Sequence, residues 1–253
     1  MRISGKTDIG KVRASNQDSF LVISNDEIAL AVVCDGMGGH SGGDIASDLA
    51  VNSIKTKLES ELKLTPIKER NIEKLITLLI NHANEVIFSK ALVTSELRGM
   101  GTTIVLAFIV GDDIYIAHVG DSRAYILFED TFKRATKDHS VVQEMIDSGE
   151  LTEQQADQHP YKHVITRVLG VAPEIKIDFS TYKINEPRKI LLCTDGLSNE
   201  LSDLDIKNVL EEDLTPEQMC EKFIEKANNN SGKDNITAVV IDLPAQSETK
   251  GEM

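Results

Sequence analysis

Residues 102–128 read TTIVLAFIVGDDIYIAHVGDSRAYILF. Three apolar segments, Thr102–Val110, Ile114–Val119 and Ser122–Phe128, are separated only by Gly111-Asp112-Asp113 and Gly120-Asp121, which are turn residues. A parallel pair needs a long crossover, so links this short predict successive antiparallel strands. Glu27–Cys34 is a continuous apolar run, as a strand buried on both faces would be, and Phe20–Ile23 precedes it. Lys189–Cys193 and Asn235–Leu243 add two more strands. Helical spacing is found over Asp44–Leu62, with Ile45, Leu49, Ile54 and Leu58 on one face. Pro66–Val93 reads as one long helix opened by Thr65 as cap and Pro66 at the first helical position. Thr215-Pro216-Glu217-Gln218 is a capping box that opens a helix through Ala227. Neighbouring antiparallel strands with helices in separate blocks predict an α+β layered sandwich.

The 253 residues suffice for a full-sized core, and no repeat or Pro/Gly/Ser linker divides them. We therefore expect one domain over residues 1–243, followed by a loose polar tail, PAQSETKGEM, over 244–253. Lys and Arg number 27 against 41 Asp and Glu, a formal net charge of −14. Such a surface repels phosphate backbones and anionic lipid, so neither nucleic acid nor membrane is expected as a partner. Apolar runs stop at seven residues, as in Ile28–Cys34 and Ile104–Val110, where a membrane span needs roughly 20. No secretory signal is visible, and the three cysteines, Cys34, Cys193 and Cys220, show no CxxC spacing. The expectation is a cytoplasmic protein with neither a disulfide framework nor a structural zinc site.

Several of the apolar strands run into an aspartate beside glycine or asparagine: AVVCDGMGG (Asp35), AHVGDSR (Asp121), LLCTDGLS (Asp195) and GKDNITAVV (Asp234). A fifth, Asp18 in RASNQDSF, precedes Phe20–Ile23. Each alone is ordinary turn chemistry. If the strand ends converge, the carboxylates repel one another unless protons or cations neutralise them, and oxygen-only ligands favour Mg²⁺ or Mn²⁺. The close pair His159 and His163 is a weak metal candidate beside them. DGMGGHSGGD, residues 35–44, holds five glycines, but its spacing fits neither phosphate-binding fingerprint and no Lys follows. A strand ending in Asp, a tight loop and a helix suits a metal site better. Arg13, five residues before Asp18, is either a surface charge or an anchor for a phosphate dianion.

In order, GKVRASNQDSF, CDGMGGHSGGDIAS, RGMGTTIVLAF, HVGDSRAY, ITRVLG, LLCTDGLSNEL and GKDNITAVVI resemble the signature blocks of the metal-dependent protein serine/threonine phosphatases, the PPM or type 2C family. The likeness runs from Thr7 to Leu243 and is strongest to the compact bacterial members. It implies a four-layer α-β-β-α sandwich, two antiparallel sheets flanked by helices, with a binuclear Mn²⁺ or Mg²⁺ centre at one edge. By that resemblance Asp35 bridges two core ions, Gly36 offers its carbonyl to one, and Asp195 and Asp234 hold the other. Asp121, with Asp195, is the ligand of a third ion, and Asp18 holds a metal-bound water. Arg13 binds the substrate phosphate and His40 is the general acid. Gln17 stands where many relatives carry an acid, which removes one possible ligand. Residues 137–163 fall where those enzymes carry a mobile flap, and their polar, weakly helical composition fits a cover.

The implied reaction is hydrolysis of phosphoserine and phosphothreonine on proteins by a metal-activated bridging water, in cell signalling. The implied partners are phosphoproteins, with a cognate Ser/Thr kinase among them, and the chain is expected to be a monomer. No phosphoenzyme is required, so Cys34 and Cys193 read as buried fillers. Two alternatives are a pseudophosphatase that binds phosphoproteins without turnover, and a nucleotide-binding enzyme using the glycine-rich loop. The first would usually lack a core aspartate, and the second would need a phosphate-binding Lys.

Overall fold

The computed structural model describes residues 1–156, 158–184 and 187–243, without the side chains of residues 39–41. The strands are β1 (Arg2–Asp8), β2 (Asp18–Ser24), β3 (Ile28–Met37), β4 (Gly101–Thr102), β5 (Ile104–Val110), β6 (Asp113–Val119), β7 (Arg123–Phe128), β8 (Phe132–Arg134), β9 (Asp178–Lys183), β10 (Pro187–Cys193) and β11 (Ile236–Asp242). The helices are α1 (Gly39–Leu64), α2 (Ile72–Val93), α3 (Val141–Asp147), α4 (Glu153–Ala156), α5 (Asp195–Ser198), α6 (Asp203–Glu211) and α7 (Pro216–Asn230). One antiparallel sheet has the order β1-β11-β10-β7-β8, and the other β2-β3-β5-β6-β9 with β4 on β3.

Alternation along the strands sorts the side chains into three apolar layers. On β3, Ile28, Leu30, Val32 and Cys34 face α1 and α2, where Ile54, Leu58, Ile76 and Ile80 meet them. Ala29, Ala31 and Val33 face the other way and pack between the sheets with Val105, Ala107, Leu192 and Val239. On β10 and β11, Leu191, Cys193, Ala238 and Val240 face Ile206, Val209, Met219 and Phe223 of α6 and α7. Strands covered on both faces read as unbroken apolar runs, which is why they were visible in the sequence. Three apolar layers require four structural ones, and the α-β-β-α sandwich is the result.

Two local expectations fail. The Gly120-Asp121 link is not a hairpin: β6 pairs β5 and β9 in one sheet, while β7 pairs β10 and β8 in the other. The chain changes sheets there, through Gly120 at φ +110°. A Cβ on Gly120 would lie 2.6 Å from Thr103 Cγ2, so the crossing needs a glycine for space as well as backbone. The helix expected from Pro66 begins instead at Ile72. Pro66 opens only a 3₁₀ turn over Ile67–Glu69, and Asn71 Oδ1 accepts the Lys74 amide at 2.9 Å as the true cap. At Thr215 the capping box forms as expected.

Candidate active site

Strand polarity brings the aspartates together. Asp18 begins β2 and lies in register opposite Asp35, near the end of β3. Ile104 starts β5 opposite Val119, so the Gly120–Asp121 crossing leaves from that same end. In the other sheet Cys193 pairs with Ala238 and Arg123, which puts Asp195, Asp234 and the incoming crossing at one end too. A three-residue link can join the sheets only where these ends coincide. The five aspartates named from the sequence therefore share one edge.

Asp18 is buried; its Oδ2 accepts from Thr194 Oγ1 at 2.8 Å and Thr237 Oγ1 at 2.7 Å. Its Oδ1 is buried with no hydrogen-bond partner. Burial, against the two threonine hydrogen bonds and with Asp195 and Asp234 nearby, raises its pKa to about 7. Asp35 is pushed well above the carboxylate range by burial and then by Asp18, Asp195, Asp121 and Asp234. Its backbone is fixed by Thr103, whose Oγ1 accepts the Asp35 N–H at 3.0 Å and whose N–H donates to the Asp35 carbonyl at 2.9 Å. Gly36 packs so closely on Gly43 that a Cβ would lie 1.9 Å from the Gly43 carbonyl oxygen. Two of the loop glycines thus serve to seat α1 against the end of β3.

Asp195 opens α5; burial and Asp234 raise its pKa, it shares a hydrogen bond with Asp35, and its Oδ2 accepts from Asn199 Nδ2 at 3.0 Å. Asp234 Oδ2 accepts from Arg13 Nη2 at 2.7 Å, and its Oδ1 accepts the Asn235 amide at 2.8 Å. The Arg13 side chain is half exposed, and Asp234, Asp35 and Asp195 all hold its guanidinium in the charged form. Asp121 leaves a second buried carboxylate oxygen, Oδ1, without a partner. Burial, with Asp195 and Asp138, raises its pKa to about 7.

As the side chains stand, no three His, Cys, Asp or Glu groups among the described residues close round one point. Asp234 is turned to Arg13, and Asp35 and Asp195 to each other. The donor set nevertheless suits a hard cation. It is all oxygen, two buried carboxylate oxygens lack partners, and most of these aspartates are driven toward protonation by burial and mutual repulsion. The His40 side chain lies outside the described residues. Of the other candidate pair, His159 Nδ1 accepts the Tyr161 amide at 3.2 Å and His163 lines a cleft.

That cleft, about 770 Å³, opens beside Asp121 and Asp195. It is also lined by residues of α3 and α4, by Lys162 and His163, and by Ser198–Asp203. Described residues of the 137–163 segment thus line the cleft, and among them helix is confined to α3 and α4.

Several supporting residues carried no sequence signal of their own. Thr194 and Thr237 grip Asp18 across separations of 176 and 219 residues. Asn235 holds the loop that carries Arg13: its Nδ2 donates to the carbonyls of Ile9 and Ser15 at 2.9 and 3.0 Å, and its Oδ1 accepts the Gln17 amide at 2.8 Å. Arg123 binds both oxygens of Asp138 through Nε and Nη2 at 2.6–3.1 Å, fixing the start of the 137–163 segment to β7. A hydroxyl or amide three residues or fewer from each aspartate was the available hint for Thr194, Thr237 and Asn235.

The family model described as Protein phosphatase 2C matches residues 10–239. The serine/threonine phosphatase stp of Listeria innocua is 35% identical over 243 residues, covering 96% of each chain. The crystal structure of serine/threonine phosphatase Stp1 from Staphylococcus aureus superposes with a TM-score of 0.89 at 32% identity, covering 96% of this chain and 95% of that one. The catalytic domain of the phosphatase PstP, solved with two manganese ions, gives a TM-score of 0.80 at 30% identity over 96% and 97% of the two chains. With the match spanning both sheets and the whole carboxylate edge, the chain belongs to the protein phosphatase 2C family.

Proposed function

We propose that the carboxylate edge hydrolyses phosphoserine and phosphothreonine esters of proteins with bound divalent ions. The chain is a protein serine/threonine phosphatase, and no observation favours a binding module without turnover. The convergence of five aspartates, two of them with orphaned buried oxygens, carries the reading of the site. In it, Asp35, the Gly36 carbonyl, Asp195 and Asp234 hold two ions, Mn²⁺ or Mg²⁺, and Asp121 with Asp195 holds a third. When bound, such ions neutralise charge on the phosphate and make water a nucleophile near neutral pH.

The chain's own groups do the rest. Arg13 orients the phosphate: Asp234 engages one nitrogen, and the half-exposed guanidinium keeps donors for an oxyanion. Asp18, steadied by Thr194 and Thr237, keeps Oδ1 free to accept a hydrogen bond from water at the centre. The seryl or threonyl oxygen leaves with a proton, for which His40 is our candidate donor. Residues 137–163 act as a flap over the cleft. We also propose a single catalytic domain over residues 1–243, monomeric and cytoplasmic, acting on phosphoproteins that include a kinase of the same cell. Among the described residues no helix is long and apolar enough to cross a membrane.

The test is turnover of a phosphothreonine peptide at saturating Mn²⁺ by Asp35→Ala and Asp195→Ala, with folding followed by circular dichroism. Both should lose activity while staying folded, and retention of more than about a tenth of the wild-type rate by either would remove that residue from the centre.

A further inference from the structure

Asp121 stands on a three-residue crossing between sheets, with no strand partner of its own, yet its carboxylate must be aimed. The residue that holds the crossing is His139, which is buried. Its N–H donates to the Gly120 carbonyl at 3.0 Å, and its ring Nδ1 accepts the Gly120 N–H at 3.1 Å. Both polar backbone groups of Gly120 are therefore satisfied by one residue. A backbone N–H can only donate, so Nδ1 is the acceptor of this bond. On the other side of the ring, Asp178 Oδ2 lies 3.4 Å from Nε2. Arg167 Nη1 is hydrogen-bonded to Nε2 at 3.1 Å and donates to Asp178 Oδ1, also at 3.1 Å. The ring is stacked on His118 with centroids 4.6 Å apart, and the His118 Nε2 bonds the Lys137 carbonyl at 2.8 Å. From the other side Thr103 fills the space over Gly120 and its Oγ1 meets Ser122 Oγ at 2.7 Å. His139, near the start of the 137–163 segment, also accepts the Thr166 N–H on its carbonyl at 2.8 Å, so it joins the chain just beyond that segment to the crossing.

We infer that His139 is a positioning residue for Asp121: its ring acceptor locks Gly120, and so holds the neighbouring carboxylate where the outer ion binds. The inference rests on the proposed role of Asp121 as a ligand. Losing the acceptor frees the Gly120 N–H in a buried place, and the crossing re-forms around another partner. The core pair, held by Asp35, Asp195 and Asp234, is left in place.

The test counts bound Mn²⁺ by the electron paramagnetic resonance signal of the free ion, with no turnover required. The proteins are wild type, Asp121→Asn, His139→Leu, His139→Asn and His139→Gln. Asp121→Asn should abolish the weakest class of site. His139→Leu should weaken that class by about tenfold or more and leave the tighter sites within about twofold. In parallel, the ratio of phosphothreonine-peptide to p-nitrophenyl phosphate turnover should fall in both. His139→Asn presents an oxygen where Nδ1 stood and should recover binding to within about threefold, whereas His139→Gln, whose amide reaches the Nε2 position, should not. If His139→Leu does not fold, the Asn and Gln pair decides.

A weak site lost in Asp121→Asn but intact in His139→Leu or His139→Gln would overturn the positioning role and leave the ligand reading standing. The same follows if the Asn variant binds no better than Gln. A full set of sites in Asp121→Asn would overturn the ligand reading, and this inference with it.

Discussion

Along β10, Ile190, Leu191, Leu192 and Cys193 are all fully buried and apolar, and two residues later Asp195 enters a group of mutually repelling carboxyls. The same strands build both regions. In the interior, backbone groups are paired by the sheets and side chains by each other, so the region is complete as it stands. At the edge, Asp18 and Asp121 each keep a buried oxygen without a partner, and both have a pKa of about 7. A fold stable in its middle can hold an end that is unfavourable alone, and that end is where an added cation gains most.

The largest expected contrast follows directly. Leu192→Ala should cost about 2–5 kcal/mol of stability while each folded molecule keeps near-normal turnover. Asp195→Ala should do the reverse, losing more than about a hundredfold in rate with no loss of stability in metal-free protein. Urea unfolding in EDTA beside turnover in Mn²⁺ measures both. Equal stability losses in the two variants would erase the distinction between interior and edge.

A smaller effect is expected at the junction of the two regions. Thr194 is fully buried, donates to Asp18 and accepts the Thr237 amide at 3.0 Å. Thr194→Val keeps the shape and leaves that amide unpaired, so unfolding should be easier by about 1–3 kcal/mol. A cost no larger than that of Val240→Thr, a hydroxyl added between the five-stranded sheet and its helices, would place Thr194 with ordinary packing residues.

The subtlest effect is the pH dependence. Asp18 and Asp121 have folded pKa values raised to about 7, above their unfolded range near 4. In that window the folded chain binds more protons than the unfolded one. The stability they contribute is complete below about pH 4 and is lost as the pH rises through about 7. In EDTA, Asp18→Asn should therefore gain on the wild type between pH 4 and 7, by on the order of 1 kcal/mol or more. A constant difference across that window, read by thermal unfolding, would mean that Asp18 is not held toward its protonated form.

The interior was easy to read in the sequence because strands covered on both faces cannot hide a polar residue. β1, β8 and β9 were missed for the converse reason: β1, β8 and β9 lie at the rims, and in Asp178–Lys183 half-buried and exposed residues alternate with no apolar run. Gly120-Asp121 was misread because a Gly-Asp pair turns the chain without saying whether the next strand stays in the sheet. Pro66 gave a helix-start signal, and the cap that forms is Asn71. At the site, the aspartates were legible as interruptions at the ends of apolar runs. The family likeness supplied their roles, which turn chemistry alone did not. Thr194, Thr237, Asn235 and His139 were not legible, since each acts through a fold-made contact with a partner far off in the chain or across the sheets.

On the proposed function, the unfavourable edge is completed by divalent ions that the reaction needs. Phosphate release from a phosphothreonine peptide, measured after exhaustive EDTA treatment and again during Mn²⁺ titration, tests it most directly. Release should fall to background on chelation and return as Mn²⁺ is restored. Full activity in the chelated protein would contradict it.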